Sequence, residues 1–96
     1  MPAGPTVSFE GAGRAGDAEY REPGLCLALW WELLADGAWI WAPAPAEWDD
    51  HWRARGAGGA VGRRAEILGR VAREAVRQKA PGARASVDDR GVRLVF

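Results

Sequence analysis

Residues 25–41 read LCLALWWELLADGAWIW and hold four of the six tryptophans of this 96-residue chain. Strict alternation puts Leu25, Leu27, Leu29, Trp31 and Leu33 on one face of a β-strand and Cys26, Ala28, Trp30, Glu32 and Leu34 on the other. Asp36-Gly37 then signals a reversal into a second strand. The loop length decides where Trp39 and Trp41 go, because a one-residue slip moves every side chain to the opposite face. A three-residue loop Ala35-Asp36-Gly37 is expected, with Gly37 in a bulge, since it gathers Trp31, Leu33, Trp39 and Trp41 on one core face. A two-residue Asp36-Gly37 loop would instead place Trp39 and Trp41 with Trp30, Glu32 and Leu34. On the expected register Trp30, Leu34 and Ile40 lie on the second face, which a sheet covered by one helix leaves as an apolar patch.

Working outward, TVSFE (Thr6 to Glu10) reads as a short strand and DAEYRE (Asp17 to Glu22) as its antiparallel neighbour. Between them Gly11, Gly13 and Gly16 match the spacing of a dinucleotide-binding turn. That turn must open a helix, and Pro23-Gly24 leaves no room for one, so a flexible glycine loop is expected instead. Pro43 and Pro45 end the tryptophan hairpin. A short helix from Ala46 to about Arg55 would carry Trp48 and Trp52 on one face. Residues 60–80 show the clearest helical period, with Val61, Ala65, Leu68, Ala72, Ala75 and Val76, and Ile67 and Val71 beside them, as a broad apolar stripe. Pro81-Gly82 stops it, and a final hairpin around DDRG points Val92, Leu94 and Phe96 inward. The expected fold is α+β: one domain, residues 1–96, with an antiparallel sheet of four to six strands packed on one long amphipathic helix, plus one short helix. Residues 1–5 are expected to be flexible.

Composition limits the function classes. At 48% hydrophobic and 27% charged residues the chain is of ordinary globular type. No apolar run approaches the roughly 20 residues of a membrane span, the N-terminal residues lack a basic leader and apolar core, and the single Cys26 excludes an intrachain disulfide. A soluble cytoplasmic protein is expected. Twelve of the thirteen basic residues are arginine, and with the abundant Ala, Gly and Pro this points to a high-GC bacterial genome. Formal net charge is zero, yet residues 1–52 hold two arginines against nine acids and residues 53–96 hold eleven basic residues against four acids. Such halves attract each other within a fold or attract another copy of the molecule.

Three functional readings follow. The leading one is a non-catalytic interaction module that binds a copy of itself or another protein through Trp30, Leu34 and Ile40, as an immunity-type or inhibitor protein would. The alternative is single-stranded nucleic acid, with Arg63, Arg70, Arg73 and Arg77 on phosphates and exposed indoles on bases. An enzyme using Glu32 or His51 comes last. Glu32 in mid-strand calls for an arginine partner or a raised pKa, and His51 in EWDDHW reads as a solvated residue on a short acidic helix. No catalytic residue, metal site or cofactor is assigned.

Overall fold

The computed structural model describes residues 4–96. Of the N-terminal residues expected to be flexible, 1–3 lie outside the described residues, and Gly4 and Pro5 are exposed and without regular structure. The elements run β1 (Thr6–Ala12), β2 (Ala15–Glu22), β3 (Leu25–Leu34), β4 (Gly37–Trp41), α1 (Pro45–Ala54), a 3-10 turn (Gly58–Ala60), α2 (Arg64–Lys79), β5 (Arg84–Asp88) and β6 (Gly91–Val95). The six strands form one antiparallel sheet in the order β1-β2-β3-β4-β6-β5. The α+β class, with one long helix and one short one, is as the sequence predicts.

The glycine stretch corrects one expectation. It is not a flexible loop: β1 and β2 stay paired through Gly11↔Gly16 and Ala12↔Ala15, leaving a tight turn of Gly13, with φ +71°, and Arg14. Gly11 and Gly16 let the paired backbones close on each other, since a Cβ on Gly16 would lie 1.9 Å from the Glu10 carbonyl oxygen and one on Gly11 2.5 Å from Gly16 Cα, and they also leave room for an indole. A Cβ on Gly16 would lie 2.8 Å from Trp31 Nε1, and one on Gly11 would lie 3.1 Å from its ring. Trp31 therefore lies across both strands and donates its ring N–H to the Glu10 carbonyl at 3.0 Å.

One face of the sheet is covered. Val7, Ala18, Tyr20, Leu25, Leu27, Leu29, Ala38, Ile40, Val92 and Leu94 are buried there, together with Ile67, Leu68, Val71, Ala72 and Ala75 of α2. Helix α1 adds Trp48 and Trp52, whose rings meet edge to face at 5.5 Å inside the core. Trp48 also donates its indole N–H to the Ala60 carbonyl at 2.8 Å, which pins the segment between the helices. Helix α2 starts at Arg64 rather than near residue 60, because residues 58–60 form the 3-10 turn and Gly62 has a positive φ, so Val61 precedes the helix; Ala65 is exposed, and Ile67, Leu68, Val71, Ala72 and Ala75 are the buried stripe. Phe96 is a further correction. The last strand ends at Val95, and Phe96, although it lines the edge of a cleft on the helix side, is 67% exposed.

Candidate functional site

The register of the tryptophan hairpin is the second major correction. Leu34 pairs with Gly37, Glu32 with Trp39 and Trp30 with Trp41, so the loop is Ala35-Asp36 and Gly37 already belongs to β4. The reason lies in β6: a Cβ on Gly37 would sit 1.9 Å from the Leu94 carbonyl oxygen. Gly37 is thus a glycine because a neighbouring backbone approaches closely, and it has no positive φ to supply to a turn. The face assignment inverts accordingly. Ile40, expected on the open face, is 2% exposed in the core, while Trp39 and Trp41 join Trp30 on the uncovered face. Trp31 alone of the hairpin's indoles faces the helices.

The uncovered face is a compact indole cluster. Trp30 and Trp39 meet edge to face at 4.9 Å, and Trp30 stacks parallel to Trp41 at 6.4 Å. Trp39 is further fixed by donating its N–H to the Arg90 carbonyl at 3.0 Å. Trp30 is the most open of the three at 37% exposure, with Leu34 half-buried and Cys26 exposed on the same strand face. His51 of α1 packs edge-on against Trp41 at 5.5 Å and Trp52 at 4.5 Å. The sequence led us to expect a solvated histidine. Instead it is half-buried, and desolvation, ahead of the nearby Arg55 charge, lowers its pKa below the ordinary value.

Charge is laid out across this face in a definite row. Cross-strand pairing runs Ala15↔Glu32↔Trp39↔Arg93↔Ser86 from β2 to β5. Glu32 was expected to find an arginine within the fold. It forms no ion pair among the described residues, and the arginine of its row, Arg93, stands on the far side of Trp39. Arg93 is itself poorly satisfied: its Nε is buried without a partner, and its terminal nitrogen reaches Asp36 only at 3.5 Å.

The basic helix is arranged differently. Arg63 holds Glu22 and Glu66, Arg70 holds Glu66 and the Tyr20 hydroxyl, and Arg77 holds Glu74. Only Arg73 of the four proposed phosphate contacts has no ion pair among the described residues. These arginines belong to the helix on the covered side of the sheet, so the structure does not bring them together with the open indoles. Beneath the C-terminal end of α2 lies an apolar cleft of about 260 Å³ lined by Phe9, Trp31, Leu33, Leu94, Phe96 and Lys79. Among the described residues no group of three or more His, Cys, Asp or Glu side chains is placed to hold a metal ion.

The favoured three-residue loop missed Trp39 and Trp41 as surface residues, whereas the two-residue alternative grouped them with Trp30, Glu32 and Leu34 as the structure does. A usable signal was present: Trp48 and Trp52, four apart on a helix, already supply two indoles to a small core. Comparison with protein-family models, with curated proteins and with solved structures found no match. The functional reading therefore rests on the geometry of the face itself.

Proposed function

We propose that the protein is a non-catalytic protein-interaction module that docks its Trp30, Trp39 and Trp41 face onto another protein surface. The observation that carries this reading is the cluster of three indoles on a sheet face that, among the described residues, is touched only at its edge, by His51 of α1 against Trp41. Tryptophan is the residue most typical of interface hot spots, and rings already held by their neighbours lose little side-chain freedom on binding. Glu32 and Arg93 frame the cluster, as polar groups frame the apolar centre of a docking surface. An inhibitor or immunity-type role would use such a face in the same way. Cytoplasmic placement belongs to the proposal, since a reducing compartment keeps the exposed Cys26 a free thiol. Single-stranded nucleic acid is the weaker reading, because it needs the α2 arginines and the open indoles on one surface.

The test is a footprint. Oxidative labelling of Trp30 and alkylation of Cys26 should be several-fold slower in intact source cells than in dilute purified protein. Trp30→Arg should abolish the difference at Cys26. Equal reactivity in the two settings would overturn the docking reading.

A further inference from the structure

We infer that the partner on this face is a second copy of the same chain, related by a two-fold axis that runs parallel to the strands along β4. This rests on the docking reading above and names its occupant. The side chains on either side of β4 follow a complementary order. In one cross-strand row Glu32 of β3 and Arg93 of β6 flank Trp39 symmetrically, with the small residues Ala15 and Ser86 beyond them. Turning a copy about an axis along β4 lays β3 over the partner's β6, so Glu32 of each chain faces Arg93 of the other. Two ion pairs form that neither monomer makes, between a carboxylate with no ion pair among the described residues and a guanidinium whose one ion pair among them is the exposed 3.5 Å contact with Asp36.

The rows on either side fit the same operation. Leu34 and Val95 flank Gly37, so the half-buried Leu34 of one chain meets Val95 of the other, which is 43% exposed in the monomer. Trp30 and Gly91 flank Trp41, so the most open indole faces the one position in its row with no side chain. Acid meets base, apolar meets apolar, and large meets small. Asp17 and Asp88 fall two strands from the axis, where the twist of facing sheets separates them, and the Asp88 carboxylate already accepts the Arg90 amide at 2.7 Å. An axis across the strands would instead superpose β3 on β3, placing the acidic flank with Glu10, Asp17 and Glu32 on itself. An isologous contact needs about 800 Å² from each partner, and a molecule of 35 × 34 × 22 Å has room for it.

Charge exchange and the native cysteine test both the partner and the axis. Wild-type protein should show concentration-dependent dimer mass by light scattering. E32R and R93E should each weaken dimerisation at least about tenfold, because each sets like charges face to face twice. Mixing the two variants should restore a dimer, since the heterodimer regains both pairs, and that recovery also shows that both chains are folded. Cys26 lies on β3, six residues from Glu32 and on the same face. Two copies of it should be about 10 to 20 Å apart across an axis along β4, and about 40 Å apart across the perpendicular axis. A bis-maleimide matched to the shorter span should therefore cross-link the wild-type dimer. A monomer at every concentration would overturn the second-copy partner, while the cellular footprint decides separately whether the face docks at all. A dimer indifferent to both charge reversals, or one that the short reagent leaves unlinked, would overturn the axis.

Discussion

Glu22 and Arg63, 41 residues apart in the chain, join the end of β2 to the start of α2 through both carboxylate oxygens. They close a ring. Arg63 also holds Glu66, Arg70 holds Glu66 and the Tyr20 hydroxyl, and Tyr20 donates back to Glu22 at 3.0 Å. The acidic N-terminal half and the basic C-terminal half of the sequence meet here, which accounts for part of their opposite charges. Tyr20 is fully buried within the ring. Tyr20→Phe keeps the ring packing and removes one hydroxyl, so it should cost about 1 to 2 kcal/mol, read from urea denaturation. No loss would show that the hydroxyl contributes nothing to holding β2 against α2.

Acid should weaken the fold in two stages. The Arg63 guanidinium holds Glu66 at a pKa of about 2, Arg77 does the same for Glu74, and Arg63 lowers Glu22 from the usual 4.5. Burial lowers His51 from 6.5. In each case the unfolded chain takes up protons before the folded chain does, so stability falls as pH falls. The His51 contribution starts to fade near 6.5, and those of the carboxylates fade from 4.5 towards about 2. Melting temperatures measured from pH 7.5 to pH 2 should decline in that order. His51→Gln should remove the first stage alone, and a flat profile between pH 7 and pH 5 would contradict the half-buried placement of His51.

The two core indoles should differ in their tolerance of substitution. Trp48 donates to Ala60, whereas Trp52 Nε1 is buried without a partner. Replacing either by Phe removes similar volume, but only Trp48→Phe also loses a buried hydrogen bond, leaving the Ala60 carbonyl with the Arg63 amide as its donor at 3.0 Å. That variant should be less stable than Trp52→Phe by about 1 kcal/mol. Chemical denaturation of the two single variants gives the comparison, and equal losses would mean that the Ala60 bond is not part of the stability difference.

Gly37 should be among the least replaceable residues of the hairpin. Gly37→Ala drives a methyl group into the Leu94 carbonyl, so β6 must shift, at a cost of more than about 2 kcal/mol. Gly58→Ala is the control. Gly58 has open space around it and no positive φ, so the change should be neutral or stabilising by less than about 1 kcal/mol. Amide exchange in β6 should accelerate in the first variant and stay unchanged in the second.

Single-stranded oligonucleotides should bind weakly at most. The arginines of α2 are mainly engaged by Glu22, Glu66 and Glu74, and they sit on the helix side, away from the open indoles. Fluorescence anisotropy with a labelled oligonucleotide should show no saturable binding at physiological salt. A tight complex whose affinity falls steeply with salt and is lost in Arg73→Glu would overturn that expectation.

Local chemistry was enough for the sequence by itself to determine the order and kind of the elements. Pro23-Gly24, Pro81-Gly82 and the DDRG turn punctuate the chain. The period of Leu68, Ala72 and Ala75 makes a helix, and the alternation from Leu25 to Leu34 makes a strand; each of these signals acts over a few residues. Only the tertiary structure decided which face carries Trp39 and Trp41. That choice depends on a single residue of loop length, and the Asp36-Gly37 pair reads as a turn until β6 arrives from more than fifty residues away. There Leu94 closes on Gly37, and the Phe96 amide donates to the Asp36 carbonyl at 3.0 Å. The same holds for Glu32, left without an ion pair among the described residues, with Trp39 between it and Arg93 in the cross-strand row. Contacts between distant segments set both features, and the face on which the proposed function rests could be read only after the sheet had closed.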